Sequence, residues 1–345
     1  MPEPDAGARS PRQPTIRDVA ERAGVSKSLV SLVLRDAPHV SDARRMVVLE
    51  AIAELGYKPN AHARGLSRTK SDTIGVLLND LRNPWFVDVL EALTATLHAS
   101  GLSPVLADSY TDQRVGRRSV EAMLQQGIDG LVVVGTTPEF DAIQAAAEVI
   151  PVVLAGTRDP KLPNVDIVVN DDAAGAREAT QHLIDLGHTY IAHLSGPGEI
   201  GQLRLAGFRE AMIDAGLDPE EFTETGGMSE ESGYAASRRL LTRKKRPTAI
   251  FAFNDIAAIG ALSAAADQGL HVPSDLSVVG YDNTYLSRIR HLSLTSVDNG
   301  NFAIGVQAGR FLAERLEAPV QLQRIHLVPA TLEVRGSTAA PPAGK

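Results

Sequence analysis

Between residues 72 and 336 the sequence repeats itself, and the repeated unit alternates strand and helix patterns. DTIGVLLND (72–80), a loop and a helix ending in HASGL (98–102) open one half. TYIAHLS (189–195), a loop and a helix ending in DAGL (214–217) open the other. Each half continues with short apolar runs: LVVVG (131–135) and PVVLAG (151–156) in the first, AIFAFND (249–255) and LSVVGYDN (276–283) in the second. Strands that alternate with helices predict a mostly parallel sheet. Two such lobes side by side imply a cleft between them, a usual place for a small ligand.

The residues before this body read differently. Residues 1–70 hold 12 Lys and Arg against 8 Asp and Glu, whereas the remaining 275 hold 22 against 34. A basic head on an acidic body predicts that only the head meets an anionic polymer. The chain has no cysteine, which excludes disulfides and thiolate chemistry and fits a reducing cytoplasm. No run of 18 apolar residues and no apolar h-region near the start occur, so neither a membrane span nor a secretory signal is expected. Residues 1–14, with four prolines, and 337–345 both read as disordered extensions.

Three short helical patterns fill residues 15–58. Thr15-Ile-Arg-Asp18 resembles a capping box, followed by an apolar face of Ile16, Val19, Ala20 and Ala23. Gly24 stands where a helix end needs positive φ. Ser26 is placed to cap a second helix with Leu29, Val30, Val33 and Leu34 inward. Ser41 starts a third, with Val48, Ile52 and Leu55 buried and Gly56 closing it. Helix, glycine turn and helix in about 20 residues is the helix-turn-helix pattern. The same pattern also suits any small three-helix domain with a solvated face. The second helix favours DNA: Lys27, Ser28 and Ser31 face outward and suit phosphates and base edges. Ser26 leaves backbone N–H groups for a phosphate.

The stretch Thr15-Ile-Arg-Asp-Val-Ala-Glu-Arg-Ala-Gly-Val-Ser-Lys-Ser-Leu-Val-Ser31 closely resembles the head of the lactose-repressor (LacI/GalR) family of bacterial transcription regulators. His39-Val-Ser-Asp-Ala-Arg44 and Leu55-Gly-Tyr-Lys-Pro-Asn-Ala-His-Ala-Arg-Gly-Leu66 continue the match. The resemblance implies a homodimer whose two heads read a pseudo-palindromic operator in successive major grooves. It places Lys27 and Ser28 on the main base-reading positions, with Thr15 and Ser26 at the DNA-facing helix starts. Leu32 stands where a polar or basic reader is common, so contact there is apolar. Residues 60–71 match the hinge helix and linker: Asn60 as its cap, Ala63 within it and Leu66 as the wedge in the minor groove. Seven residues hold no helix alone, and Gly65 weakens this one by about 1 kcal/mol.

The resemblance gives the whole chain an all-α helix-turn-helix head (15–59), a hinge (60–71) and a two-lobe α/β body of the periplasmic-binding-protein type (72–336). The body's chemistry is then recognition of an effector, a sugar or sugar derivative. Asp80 ends the first strand, and Trp85 and Phe86 follow in an Asn-Pro-aromatic-Phe loop. A ring beside a carboxylate suits a sugar, although rings that start a helix also serve as core. Asn254 and Asp255 end a strand of the second lobe, and Asp282 ends the next. All three match effector-contacting motifs, while Asp255 also suits a helix cap and Asp282 a loop-ordering role. Arg204 matches an effector-binding arginine, with a buried ion pair to Asp282 as the alternative or companion role. Met228 falls where an aromatic sometimes covers the ligand.

The loop Ser195–Leu203 looks about two residues shorter than the family's, with Glu199 and Gln202 as substitutes for its polar groups. The same loop raises a rival, since Gly196-Pro-Gly198-Glu-Ile-Gly201 spells G-x-G-x-x-G after a strand and before a helix. An NAD(H)-responsive repressor is the competing reading. The position in the second half of a repeat and the lack of a strand-end acid about 20 residues on oppose it. No phosphate-loop, G-x-S-x-G or H-E-x-x-H motif occurs, and the nine histidines are scattered. No enzyme activity, cofactor, metal site or membrane partner is expected. No leucine heptads follow residue 336, which favours a dimer over a tetramer.

Overall fold

The structure is a computed structural model and describes residues 14–34, 39–57, 70–221, 223–318 and 322–342. The chain divides into two compact units, Met1–Ser71 and Asp72–Lys345. The hinge residues Asn60, Ala63 and Leu66 lie outside the described residues.

In the first unit, α1 (Ile16–Arg22), α2 (Lys27–Leu34) and α3 (Asp42–Leu55) enclose a small core. Thr15 starts α1, its backbone N–H and hydroxyl both donating to the Asp18 carboxylate at 2.6 and 2.8 Å. Gly24 takes φ +66 at the turn, and the Ser26 hydroxyl accepts the Leu29 N–H at 3.2 Å. Val19, Val30, Val33 and Val48 fill the centre, each worth roughly 1.5–3 kcal/mol when fully buried. Val40 and Tyr57 complete it from outside the helices, where periodicity gives no signal.

The second unit begins with β1 (Thr73–Leu78), α4 (Trp85–Ala99), β2 (Ser103–Asp108), α5 (Ser109–Arg114), α6 (Ser119–Gln125), β3 (Gly130–Val134), α7 (Phe140–Ala147), β4 (Val152–Ala155) and β5 (Asp166–Asn170). These build the first lobe. The second follows with α8 (Asp172–Asp185), β6 (Ile191–Ser195), α9 (Gly198–Asp214), β7 (Thr223–Thr225), α10 (Glu230–Leu241), β8 (Ala249–Phe251), α11 (Asp255–Asp267), β9 (Ser277–Tyr281) and β10 (Thr295–Asp298). α12 (Asn301–Glu317) and β11 (Ile325–Val328) return to the first lobe, and β12 (Thr331–Glu333) to the second. The chain thus crosses between lobes three times, after β5, β10 and β11.

The first sheet runs β2-β1-β3-β4-β5-β11 and every pairing is parallel. The second runs β7-β6-β8-β9-β10-β12, parallel except for β10 with β12. Helices cover both faces, so a central strand such as Thr73–Leu78 is a continuous apolar run rather than an alternating one. α12 packs tightly on α4 through small residues: a Cβ on Gly305 would lie 2.3 Å from the Val89 carbonyl oxygen. Strand ends in both lobes, from Leu78 and Asn170 on one side to Tyr281 on the other, point their following loops at the cleft.

One expectation is overturned. The segment from 337 is not a loose tail as far as it is described. Ser337 is buried, donates from its hydroxyl to the Val278 carbonyl at 2.6 Å and accepts the Thr295 N–H at 2.8 Å. The Ala339 N–H donates to the Ser277 hydroxyl oxygen at 3.0 Å, and the Ala339 carbonyl lies 2.9 Å from His188 Nε2. Composition alone misleads here, because short polar residues that look disordered are the ones that fit by hydrogen bonding against the starts of β9 and β10. No helix among the described residues is long and apolar enough to cross a membrane.

Candidate functional site

A cleft of about 520 Å³ lies between the lobes. At its base a relay of hydrogen bonds runs from one lobe to the other. The Trp85 indole N–H, at the start of α4, donates to Asn299 Oδ1 at 3.2 Å. Asn299 Nδ2, on the crossover after β10, donates to Asp282 Oδ1 at 3.1 Å. Arg204 Nη2, on α9, reaches the same oxygen at 3.5 Å, while its Nε donates to Asp172 Oδ1 at 2.9 Å and its Nη1 to the Phe253 carbonyl at 2.6 Å. Asp172 opens α8 on the crossover after β5, so the relay includes residues from two of the three crossovers. Asn170 Nδ2, at the end of β5, donates to the Tyr281 hydroxyl oxygen at 3.1 Å and ties β5 to β9.

Arg204 and Asp282 are both nearly inaccessible. The guanidinium carbon sits 3.5 Å from the Tyr281 ring centroid and 4.7 Å from that of Phe253. Flat cations fit between rings in this way. Burial pushes the Asp282 carboxyl up to about 7, against the pull of Arg204. For Arg204, burial works against its charge, but Asp172 and Asp282 outweigh it and its pKa is raised. The arrangement is a rigid donor and acceptor surface. Among the described residues no group of His, Cys, Asp and Glu is placed to hold a metal ion.

Comparison with known proteins gives this architecture its place. Residues 15–60 match the family of bacterial regulatory proteins of the lacI type, and residues 180–338 match the periplasmic binding protein-like domain. The HTH-type transcriptional regulator DegA of Bacillus subtilis (strain 168) is 34% identical over 333 residues, 94% of this chain and 98% of that protein. The chain belongs to the LacI family. A structure of the lac repressor dimer bound to operator and the anti-inducer ONPF superposes with a TM-score of 0.83 at 30% identity, covering 95% of this chain and 100% of that one. A transcriptional regulator CelR–cellobiose complex superposes with a TM-score of 0.70 at 30% identity, covering 94% and 99%. As a LacI-family member the chain is a DNA-binding transcriptional regulator, and the NAD(H) alternative finds no support.

The geometry gives the glycines of that alternative another role. A Cβ on Gly196 would lie 2.3 Å from the Phe253 ring, and one on Gly201 would lie 2.0 Å from the Gly196 carbonyl oxygen. These positions are small because the β6–α9 loop is folded onto itself and onto the second lobe.

The cleft brings together Asp80, Trp85, Phe86, Arg204, Met228, Asn254 and Asp282. Their roles differ from the sequence reading in detail. Trp85 and Phe86 are 7% and 4% exposed, so both are core residues that show only an edge to the cleft. The Trp85 ring lies against Gly156, where a Cβ would come within 2.4 Å of it. The Asp80 carboxylate is held by Arg82 Nε at 2.8 Å and Nη2 at 2.5 Å, and those hydrogen bonds lower its pKa. Asn254 caps α11, accepting the Ala257 N–H at 2.8 Å, and donates to the Met228 carbonyl at 3.2 Å. Met228 is half exposed at the rim.

Asp255 does not line the cleft. It is fully buried behind Asn254, accepting the Thr284 N–H and hydroxyl at 2.7 and 2.8 Å and the Ser296 hydroxyl at 2.5 Å. Burial pushes its carboxyl up to about 6. Asn254 caps α11 and Asp255 opens it, and these two neighbours point to opposite sides, which the motif alone could not assign. The substitutes expected in the short loop also fail. Glu199 lies 3.7 Å from Lys161, Gln202 is exposed, and Pro197, Gly198 and Ile200 line the cleft instead. Asp172, Asn170 and Asn299 escape the sequence reading. Asp172 and Asn299 sit on crossovers, Asn170 ends a strand that carries no recognised motif, and their spacing to Arg204 and Asp282 exists only in three dimensions.

In the head, Ser26, Lys27 and Ser28 are exposed and Leu32 is 40% exposed, whereas Val30 and Val33 face the core. Lys27, Ser28, Ser31 and Leu32 therefore share the outward stripe of α2. Thr15 is half-buried and engaged with Asp18.

Proposed function

We propose that this LacI-family regulator is a cytoplasmic homodimeric repressor without enzymatic activity, whose grip on a pseudo-palindromic operator is controlled by a small carbohydrate in the interlobe cleft. The observation that carries the reading is the Trp85–Asn299–Asp282–Arg204–Asp172 relay. Its members Trp85, Asn299, Asp282 and Arg204 line the cleft, and it joins both lobes through their crossovers, so a ligand that exchanges hydrogen bonds with Asp282 or Arg204 changes how the lobes are held. The cellobiose held by the CelR structure supports the carbohydrate class. On this reading Lys27 and Ser28 contact base edges, Leu32 a thymine methyl, and Thr15, Ser26 and Ser31 the backbone. Asn60, Ala63 and Leu66 form the minor-groove hinge. A coupling of about 1–3 kcal/mol between cleft and heads suffices, because two linked heads multiply their affinities.

The test follows two signals on the full-length protein. Uncharged mono- and disaccharides, polyols and nucleosides are titrated while Trp85 emission and operator affinity are recorded together. A saturable Trp85 response with a matching loss of operator affinity is expected for one ligand class, and Arg204→Met removes both. A ligand that releases operator with no Trp85 response, and still does so in Arg204→Met, would move the effector site elsewhere. Lys27→Ala is expected to alter the operator selected from a random pool. An unchanged profile would remove it as a reader.

A further inference from the structure

We propose that the interlobe cleft accepts only ligands without a phosphate, carboxylate or other anionic group, because both guanidinium groups described there are already paired with the chain's own carboxylates and the lining carries an excess of carboxylates. The proposal rests on the reading of this cleft as the effector site and narrows the class of effector.

Among the described residues two guanidinium groups line the cleft, Arg82 at the rim and Arg204 at the base. Arg82 holds Asp80 through Nε at 2.8 Å and Nη2 at 2.5 Å, and its guanidinium carbon lies 3.8 Å from the Tyr110 ring centroid. Arg204 faces two carboxylates, Asp172 and Asp282, and donates a third bond to the Phe253 carbonyl. Neither guanidinium offers the open fork that phosphate and carboxylate recognition needs.

Helix N-termini are the other common anion sites, and four of them contribute residues to this cleft. Each is capped or offset. At α4, Asn83 Oδ1 accepts the Trp85 N–H at 3.1 Å. At α9 the N-cap Pro197 brings no side-chain acceptor, and only Glu199 in the first turn offsets the helix end. At α10 the Ser229 hydroxyl accepts the Ser232 N–H at 3.2 Å, and Glu230 and Glu231 occupy the first turn. At α11 Asn254 Oδ1 accepts the Ala257 N–H and Asp255 follows. The first turns of α4, α9, α10 and α11 all carry a carboxylate, at Asp88, Glu199, Glu230 with Glu231, and Asp255, which offsets the positive end of each helix dipole.

The lining therefore has Asp80, Glu230, Glu231 and Asp282 against Arg82 and Arg204, an excess of carboxylates. An entering phosphate meets net repulsion, with no unpaired cation among the described lining residues to receive it. What remains for a ligand are side-chain amides and hydroxyls, such as Asn79 and Thr136, beside the edges of Trp85, Phe86 and Phe253. Such a lining suits hydroxyls over an apolar ring face, the surface an uncharged saccharide presents.

The experiment titrates full-length protein with inorganic phosphate and with sulfate at ionic strength fixed by sodium chloride, following Trp85 emission and thermal midpoint. The native protein is expected to give no saturable response to either ion. Asp282→Asn, and separately Glu230→Gln combined with Glu231→Gln, are each expected to gain a saturable phosphate response at least tenfold stronger than native. The rim pair is solvent-facing, so it keeps the test alive if the buried substitution disturbs folding. A saturable native response in the millimolar range overturns the proposal. So does silence of both folded variants, since charge would then not be what excludes the anion, and so does operator release by a phosphorylated sugar that also quenches Trp85. Failure of the broader effector reading looks different: no ligand of any charge would change Trp85 emission and operator affinity together.

Discussion

Two buried arginine–carboxylate clusters in the body share their chemistry but not their behaviour. In the first lobe, Asp166 starts β5 and takes a two-pronged bond from Arg315, at 2.7 and 2.8 Å, and another from Arg324 at 2.6 Å. In the cleft, Asp282 has Arg204 at 3.5 Å and the Asn299 amide at 3.1 Å. Burial works against both carboxylates. At Asp166 it is outweighed by the bonds from Arg315 and Arg324, and the pKa is lowered. At Asp282 it prevails, and the pKa rises to about 7. The difference is in the number and closeness of charged donors. A carboxylate whose lone pairs are all engaged is a lock, and one held loosely at a cleft wall retains acceptor capacity for a ligand.

Breaking the lock has the largest expected effect. Arg315→Met leaves Asp166 buried with part of its compensation gone, and is expected to cost about 3–5 kcal/mol in urea unfolding. The refolded variant keeps its Trp85 emission and its ligand response. A loss below about 1 kcal/mol would mean that Arg324 alone suffices and that the two clusters differ less than their geometry implies.

The pH dependence comes next, and the signs are opposite. A lowered carboxylate binds fewer protons in the folded state, so the contribution of Asp166 is present above the unfolded pKa and is lost as pH falls below it. A raised carboxylate binds more protons in the folded state. Asp282 and Asp255 therefore reduce stability as pH rises from about 4 to about 7 and about 6 respectively. Each changes stability by at most about 1.4 kcal/mol per pH unit inside its window. Denaturation curves from pH 4 to 8 are expected to be flatter for Asp282→Asn than for the native chain. Superimposable slopes would show that Asp282 does not titrate in this window.

The smallest effect is the stability change of Asp282→Asn itself near pH 4. There the folded-state carboxyl is already protonated, so its neutral isostere is expected to change stability by less than about 1 kcal/mol. The ligand response of the cleft is nevertheless lost. A penalty near 3 kcal/mol would make Asp282 a lock like Asp166, and the comparison would collapse.

Much of the fold is legible in the sequence. The head helices, their caps at Thr15 and Ser26 and the positive φ at Gly24 follow from local chemistry, which needs only neighbours along the chain. The two lobes follow from the repeated strand and helix pattern. Arg204 and Asp282 stand out in their motifs. Asn254 and Asp255 cannot be separated in this way, because the turn of one residue decides which side chain meets the cleft and which meets Ser296 and Thr284. The segment from Ser337 has a loose composition, poor in large apolar residues, yet its hydroxyls and backbone dock on β9 and the start of β10.

The sequence by itself determined the elements, the two-unit division and the family, since these rest on periodicity, caps and contiguous motifs. Only the tertiary structure decided which charges cancel. Asp172 lies 32 residues from Arg204, Asp282 lies 78, and Asn299 lies 214 from Trp85. Electrostatic compensation depends on distances of a few ångströms and on burial, and neither is written in spacing along a chain.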